Sequence, residues 1–314
     1  ADGTGLKQIS FGQSHDMDPT VLMNGRVLWS RWDTAPGRSA IHLYTANPDG
    51  TDVQLHYGAL SHLTGTNNGE VHFFKPREMP DGRILSLIRP LTDAEYGGDL
   101  AVIDARTFVE NNQPVLASAG LAGPAQSPAT GNDVRTIPGV SPGGRFSAAY
   151  PLWDGSGRIA VSWTPCRASL GGQVRACTDE VLRDPAVTSA PPLYSIWMYD
   201  TAKRAFLPLT PPEADKMITD IVVAQPRSAP VVIGLWVISS TTRSGVMRAR
   251  SLAFSMVSLP PPKMIAAWKS TYLLYASAMS LTLQCAGAPV TMRRKKSPPR
   301  PTLSASLCTL SVMT

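Results

Sequence analysis

A short unit that recurs along the first 220 residues constrains the fold more than any other feature of this sequence. In each copy, a tight turn ending in Gly-Arg leads into a run of aliphatic, aromatic or β-branched residues. Asn-Gly and Asp-Gly tolerate positive φ and close tight turns between antiparallel strands, so each copy predicts a strand, a turn and a second strand. Three copies are clear: Asn24-Gly25-Arg26, Asp81-Gly82-Arg83 and Ser156-Gly157-Arg158. A fourth copy, Pro142-Gly143-Gly144-Arg145, is weaker.

A further predicted strand follows each clear copy, at residues 41–45, 99–104 and 194–200. Short antiparallel strands repeated in sets of four are typical of a β-propeller. The clear Gly-Arg pairs are 57 and 75 residues apart, whereas a minimal blade takes about 40–50 residues, so long loops must be inserted. The sequence therefore predicts an all-β fold, an incomplete β-propeller of about four blades within residues 1–228.

The last part of the chain, residues 229–314, departs from this pattern. All 23 acidic residues lie in residues 1–220, with 18 Lys and Arg, whereas the last 94 residues carry 11 Lys and Arg and no acidic residue. A folded surface normally mixes both signs of charge, and the turn and strand units are also missing here. We therefore expect a poorly ordered or non-native tail outside the propeller, such as the product of a shifted reading frame (a frameshift).

Two other interpretations of the tail stay open. One is a disordered basic extension that contacts anionic surfaces. The other is a membrane anchor, because residues 270–292 are uncharged over about the length of a spanning helix and are followed by Arg293-Arg294-Lys295-Lys296. At its other end the chain begins at Ala1 without Met, so no signal peptide can be read, and we expect a fragment or a mature form.

The strands and turns of residues 16–51 resemble the WD40-like repeat of the TolB type (PD40), which occurs in periplasmic propellers. Over roughly residues 8–228 the chain also resembles bacterial proteins related to the alpha subunit of hydrazine synthase. The stretches that carry this second resemblance are Ser14-His15-Asp16-Met17-Asp18-Pro19-Thr20-Val21-Leu22, Thr64-Gly65-Thr66-Asn67, Asn132-Asp133-Val134-Arg135-Thr136-Ile137-Pro138-Gly139 and Pro151-Leu152-Trp153-Asp154-Gly155. The resemblance implies a periplasmic or secreted propeller, often lipid-anchored. It does not imply hydrazine synthesis, because the haem attachment pattern Cys-x-x-Cys-His is absent.

Two cysteines fall in the part of the chain that carries the repeats. Cys166 and Cys177 flank a Gly171-Gly172 turn. A disulfide between them suits an oxidising compartment and would stabilise the fold by about 2–3 kcal/mol. The alternative is a structural pair of reduced thiols. A zinc site is disfavoured, because paired metal ligands usually lie two to four residues apart.

Polar side chains in predicted loops mark the candidate site. His15 and His62 lie near acidic and amide side chains, and neutral imidazoles bind divalent metals. Capping or hydrogen bonding between blades is the alternative role for both histidines. Asp16 and Asp18 could act as an acid and a base, and the alternative is that they hold a turn. A second polar group contains Arg135, which could bind an anion or pair with Asp133. The candidate ligand-binding residues are His15, Asp16, Asp18, His62, Asn67, Asp133 and Arg135.

Several functions are excluded or disfavoured by the residues. The string Gly139-Val140-Ser141-Pro142-Gly143 matches the G-x-S-x-G motif of hydrolases, but Pro142 lacks the N–H that the oxyanion hole requires. A hairpin turn is the alternative interpretation. No phosphate-binding loop or nucleotide fingerprint occurs, and the basic pI arises in the tail, so no nucleic-acid partner is expected.

The sequence predicts a periplasmic or secreted binding or scaffold module without a resident cofactor. Its expected partner is a protein, a small molecule or a carbohydrate, and we expect membrane contact only through a lipid anchor. The alternative is a metal-dependent propeller enzyme, such as a polysaccharide lyase. Whether the chain is an enzyme stays open at this stage.

Overall fold

The chain folds almost entirely into antiparallel β-strands. The structure is a computed structural model, and it describes residues 6–35, 38–92, 95–214, 216–226 and 228–232. Residues Ile9–Gly234 group together as one unit. The tail predicted at 229–314 lies outside the described residues, apart from 229–232. The all-β prediction is confirmed for the part of the chain that is described.

The first four strands form sheet I, in which each strand pairs with the next one along the chain. The Gly-Arg turn joins the first two strands: the Leu22 N–H donates to the Arg26 carbonyl at 2.8 Å, and Gly25 has φ +83°. The positive φ explains why glycine occupies this position. The strands of sheet I are β1 Asp16–Val21, β2 Val27–Ala35, β3 Arg38–Ala46 and β4 Gln54–Tyr57.

Sheet II repeats this plan after a loop that contains a 3-10 turn, Thr66–Asn68. The second Gly-Arg turn of the chain joins the first two strands of sheet II. It has the same hydrogen bond, from the Met79 N–H to the Arg83 carbonyl at 2.8 Å. A two-stranded hairpin, β8–β9, and a 3-10 turn, Leu116–Ser118, separate its third and fourth strands. The strands in this region are β5 His72–Glu78, β6 Ile84–Arg89, β7 Asp99–Ile103, β8 Phe108–Glu110, β9 Gln113–Pro114 and β10 Gln126–Pro128.

Sheet III has the order β11-β12-β16-β17, and a separate three-stranded sheet is inserted between its second and third strands. We call this inserted sheet, with order β14-β13-β15, the insertion sheet. The one short α-helix among the described residues, α1 Asp179–Leu182, lies within the insertion. The strands are β11 Arg145–Pro151, β12 Arg158–Thr164, β13 Arg167–Leu170, β14 Gln173–Ala176, β15 Thr188–Ser189, β16 Ser195–Asp200 and β17 Ala205–Pro208.

The described residues thus contain three four-stranded sheets, rather than the four repeat units counted in the sequence. The three clear Gly-Arg turns each join the first and second strands of a sheet, as predicted. The fourth, weaker copy does not start a unit, because Arg145 is the first residue of β11, the first strand of sheet III. Its Gly143-Gly144 pair ends a long loop instead of closing a hairpin, which explains the miscount.

Apolar side chains fill the spaces between consecutive sheets. One core cluster joins sheets I and II, and includes Leu28, Leu43, Phe73 and Ile103. A second cluster lies mainly between sheets II and III, with the side chains Leu85, Leu100, Phe146, Val161 and Tyr199. Alternation along each strand sends every second side chain to one face. Sheet II is therefore covered by apolar side chains on both faces.

Each sheet has an irregularity in its first strand. The pairing of β1 with β2 shifts between Met17 and Thr20, that of β5 with β6 between Phe74 and Arg77, and that of β11 with β12 between Phe146 and Ala148. Such β-bulges bend a strand and redirect its side chains. The bulges of β1 and β5 contain two non-glycine residues with positive φ, Asp18 at 54° and Lys75 at 48°.

Candidate functional site

The residues predicted at the start of β1 connect this strand to β2. The His15 ring stacks on Trp32, with 5.6 Å between ring centroids. Asp16 accepts a hydrogen bond of 2.7 Å from the indole N–H of Trp29, and its Oδ1 lies 3.8 Å from Nε of Arg31. These contacts lie within sheet I. They give both residues a role in strand pairing.

Asp18 connects two sheets. Its Oδ2 accepts the backbone N–H of Lys75 at 3.1 Å, so the bulge of β1 is hydrogen-bonded to the bulge of β5. The Lys75 ammonium donates to the carbonyl of Thr219. Burial lowers the pKa of Lys75, and the nearby carboxylates Asp220 and Asp18 oppose that shift. Asp18 therefore acts as a link between the first strands of sheets I and II.

His62 lies in a group of three buried histidines that does not include His15. Its Nε2 is 3.0 Å from Nδ1 of His42, and its ring centroid is 4.9 Å from that of His72. Its Nδ1 donates to the Val71 carbonyl at 2.6 Å, which leaves Nε2 as the acceptor in the neutral ring. His42 lies in β3 and His72 is the first residue of β5. Across the described residues, no three acidic, histidine or cysteine side chains are arranged to hold a metal ion.

The loops that contain Asn67 and Arg135 meet through two threonines. The Thr66 N–H donates to Oγ1 of Thr136 at 2.8 Å, and the Thr136 N–H donates to Oγ1 of Thr66 at 3.0 Å. Asn67 adopts a left-handed conformation, with φ 57° and ψ 36°, and is exposed. Two loops that the sequence marked separately, near residues 64–67 and 132–139, therefore lie side by side.

Asp133 and Arg135 form an exposed ion pair, with 3.8 Å between Oδ2 and Nη2. A neighbouring carboxyl group, Asp99 at the start of β7, was not marked by the sequence as a site residue. Burial, the largest cause, and the Asp133 charge raise the pKa of Asp99 to about 7, against the lowering effect of a hydrogen bond from the Leu100 N–H. No local pattern could have identified Asp99, because its burial arises from strands distant in sequence.

Arg145 organises the whole 132–144 loop. Its guanidinium donates to the carbonyls of Arg135, Ile137 and Gly139 at 2.9–3.1 Å, and it pairs with Oε2 of Glu95 at 2.7 Å. The residue is only 5% exposed. A buried guanidinium with this set of acceptors is fully engaged in holding the loop. The loop ends in a turn at residues 141–144, where the Gly144 N–H donates to the Ser141 carbonyl at 3.0 Å. This turn precedes β11 and does not join two paired strands, so the Gly139–Gly143 string is a loop turn and the predicted hairpin is corrected.

A cleft of about 470 Å³ opens beside this loop, between Tyr96, the start of β11 and the insertion sheet. This volume lies in the range of small-ligand sites. Polar and apolar side chains both line it. The polar and charged ones are Glu95, Tyr96, Ser141, Arg145, Thr164, Arg167 and Ser189, and the apolar ones include Pro165, Ala190, Pro191, Pro192 and Met217.

Cys166, which also lines the cleft, forms a disulfide with Cys177. The two Cα atoms are 5.8 Å apart, and the cysteines are separated by 11 positions. The bond closes the antiparallel hairpin of β13 and β14, in which Arg167 pairs with Ala176. The sequence identified this pair from the flanking glycine turn. It gave no signal for Glu95, Tyr96 or Arg167, which the fold brings together from separate parts of the chain.

The chain was compared with protein families, curated proteins and solved structures. No protein-family model matches the chain, and a search of curated proteins finds no match. Among solved structures, hydrazine synthase of Kuenenia stuttgartiensis is similar over 63% of this chain, with 20% identity and a TM-score of 0.40. The matched part is 20% of that chain, so this chain spans about a fifth of its length. In the residues that the structure describes, no helix is long and apolar enough to cross a membrane.

Proposed function

We propose that this protein is a periplasmic or secreted binding module of β-propeller type, related to the hydrazine synthase alpha subunit, whose ligand enters the cleft beside Tyr96. The observation that carries the proposal is the cleft itself. It combines a volume of about 470 Å³ with a small number of polar groups set among apolar walls. This mixture is characteristic of sites for small molecules.

The arrangement of the sheets supports the propeller plan. Sheets I, II and III each consist of four antiparallel strands with a Gly-Arg turn after the first strand. Their first strands lie next to one another, since β1 contacts β5 and β5 contacts β11. In a propeller the innermost strands of neighbouring blades surround a common axis. On this plan, sheets I to III are consecutive blades.

The disulfide supports the proposed location. Bonds of this kind persist in the periplasm and outside the cell, and they are rare in reducing compartments. The Cys166–Cys177 bond lies in a surface insertion rather than in a redox motif. A structural role in an oxidising environment is therefore the simplest account of it.

Binding in the cleft can be tested with a small panel of compounds. The panel contains glucose, glucuronate, benzamide, benzoate and triglycine, and binding to the full chain is measured by thermal shift and ligand-observed NMR. We expect at least one compound to bind, and we expect Ser189→Trp to abolish binding because it fills the cleft. Thr188→Trp is the matched control, since adjacent strand residues point to opposite faces. If no compound binds, or if Ser189→Trp binds as well as the native chain, the proposal is wrong.

The proposal includes no resident cofactor. Metal analysis of the purified full chain is expected to give less than stoichiometric metal. A stoichiometric metal that is lost in His15→Ala or His62→Ala would instead favour the metal-dependent enzyme. This measurement is independent of the ligand panel.

A further inference from the structure

The charges that line the cleft do not cancel. Glu95 is neutralised by Arg145, whose Nη2 lies 2.7 Å from Oε2 of Glu95. Arg145 is further bound to three loop carbonyls, so it has little capacity left for a ligand. Arg167 lines the same cleft and forms no ion pair with any carboxylate in the described parts of the chain. The cleft therefore contains one positive charge that none of the described carboxylates pairs with.

Arg167 is held in place by its surroundings. Its Nη1 donates to the Pro191 carbonyl, which is its one hydrogen bond from the side chain to a described residue. Its backbone is in β13, which pairs on both sides, with β14 and β15, and it follows directly after the disulfide-bonded Cys166. A guanidinium fixed through one N–H keeps its other N–H groups for an acceptor, and its planar fork matches a carboxylate.

Two hydroxyl groups add to this donor set. The backbone carbonyl of Tyr96 accepts the Tyr194 hydroxyl at 2.6 Å, while the Tyr96 hydroxyl has no acceptor or donor among the described residues. Burial raises the pKa of Tyr96, so its hydroxyl stays protonated and can donate. Ser189 lines the cleft as well, and its hydroxyl likewise has no partner among the described residues. Acceptor groups of a ligand would satisfy these donors.

The rest of the wall is apolar. Pro165, Pro191 and Pro192 present rigid rings, and Ala190 and Met217 add aliphatic surface. Such a wall favours a compact ligand body with an apolar or ring face.

From these observations we propose that the cleft binds a small carboxylic acid with an apolar or ring-shaped body, and that Arg167 is the partner of its carboxylate. This inference rests on the proposed function, and it adds the class of ligand. The hydroxyls of Tyr96 and Ser189 are the additional donors to the carboxylate oxygens. Selectivity between the acid and an uncharged compound of the same shape then arises from Arg167.

Benzoate and benzamide test this assignment, because they have nearly the same shape and differ in charge. Binding of each to the full chain is measured by titration in ligand-observed NMR. We expect benzoate to bind at least about tenfold more tightly than benzamide, and Arg167→Ala to lose about tenfold or more in benzoate affinity. Arg167→Gln is a second variant in case the alanine variant does not fold. Arg175→Ala is the matched control, since Arg175 is exposed on the same insertion sheet and does not line the cleft.

The outcomes separate this inference from the proposed function. If benzamide binds as tightly as benzoate and Ser189→Trp abolishes both, the cleft is a binding site but the carboxylate assignment is wrong. Unchanged benzoate affinity in both Arg167 variants overturns the assignment in the same way, as does a panel in which only uncharged compounds bind. If no compound of the panel binds, the proposed function itself fails.

Discussion

At the scale of single residues, burial determines which side chains can carry charge. His72 is 2% exposed, and its Nδ1 accepts the Ile41 N–H at 3.2 Å. A proton on that nitrogen would place two donors face to face. Burial, and to a lesser degree the neighbouring His62, His42 and Arg89, lower the pKa of His72 to about 4. His56 in β4 also has a pKa of about 4, chiefly through burial and secondarily through the positive charge of Arg26.

Stability is therefore expected to fall in acid. In the unfolded chain both histidines titrate near pH 6.5, so between pH 6.5 and 4 the unfolded state binds more protons than the native state. Each histidine then costs on the order of 2 kcal/mol of stability as the pH falls through this window. Urea unfolding at pH 7, 5.5 and 4.5 measures the effect.

His72→Gln isolates one of these contributions, because a glutamine can still accept the Ile41 N–H and does not titrate. We expect a shallower loss of stability between pH 7 and 4.5 in this variant. His15→Gln, which alters an exposed imidazole packed on Trp32, is the control. Equal slopes in all three proteins would contradict the assignment.

Asp99 should have the opposite pH dependence. Its pKa is raised to about 7 in the native state and is near 3.9 in the unfolded chain. Between these values the native state holds the extra proton, so stability falls as the pH rises from 4 to 7. Asp99→Asn removes the ionisation and keeps an acceptor for the Leu100 N–H. It should stabilise the protein by on the order of 2 kcal/mol at pH 8 and by little at pH 4.

The measurement for Asp99 is chemical unfolding at pH 8 and pH 4. Asp133→Asn is the comparison, because it removes one cause of the raised pKa and leaves burial unchanged. It should give a smaller gain at pH 8 than Asp99→Asn. An Asp99→Asn variant that is destabilised equally at both pH values would show that Asp99 is ionised in the native state.

At the scale of elements, the loop between β6 and β7 is attached to sheet III through two glycines. Gly98 forms an isolated β-bridge with Phe146, with N–H···O distances of 2.8 Å in both directions. Gly97 has φ +99°, and a Cβ there would lie 2.0 Å from the Tyr194 hydroxyl and 2.7 Å from the Phe146 carbonyl. This close approach places Tyr96 at the edge of the cleft.

Gly97→Ala should therefore destabilise the protein severely. Gly120 is a matched control, because its φ of +95° is nearly the same and a Cβ there would meet nothing within 4 Å. Gly120→Ala should cost about 1–2 kcal/mol, from backbone strain alone. Gly97→Ala should cost at least about 2 kcal/mol more, because overpacking is added. Similar urea midpoints for the two variants would contradict the contact with Tyr194.

The disulfide gives a second prediction at this scale. Removing it in the double variant Cys166→Ser, Cys177→Ser should reduce stability by about 2–3 kcal/mol. The insertion sheet should be affected first, because it is small and lies outside sheets I to III. Hydrogen exchange of residues 167–189 measures this locally. Reductant should weaken protection in the native chain and leave the double variant unchanged, and protection that is unaffected in both would contradict the prediction.

The strands were easier to predict than the site. The turns at Gly25, Gly82 and Gly157 were identified because each combines positive-φ residues with a following apolar run, and these signals are local. Arg145 was grouped with them since it follows two glycines, yet its function depends on carbonyls and a carboxylate that only the folded chain brings near. Asp99 and the cleft were missed because residues distant in sequence surround them. Cys166 and Cys177 were identified because they flank a local hairpin.

At the scale of the whole molecule, an extended segment covers the second face of sheet III. The Ile218 carbonyl accepts the hydroxyls of Ser147 and Ser162, at 2.8 and 2.5 Å. Ile221 is buried and packs in a cluster with Ala148 and Ala160. Beyond it, the Val231 N–H donates to the Met23 carbonyl of sheet I at 2.8 Å. These contacts indicate that residues 217–226 and Val231 belong to the folded unit.

Two shortened chains test where the folded unit ends. A chain that stops after residue 216 loses the apolar contacts of Ile218 and Ile221 and should be destabilised by about 3 kcal/mol or more. A chain that stops after residue 232 retains them, and the composition of the tail predicts no loss of stability. Thermal unfolding of both chains beside the full one measures this. Destabilisation by the longer truncation would contradict the prediction for the tail.

The insertion sheet has a consequence for how this molecule could diversify. Strands β12 and β16 pair continuously from Arg158 with Asp200 to Trp163 with Ser195, although the insertion separates them in sequence. Replacing residues 165–193 with a different segment would thus leave the strand pairing of sheet III intact. The insertion supplies Arg167 and one wall of the cleft. Related proteins could therefore change their ligand by exchanging the insertion, while sheet III stays the same.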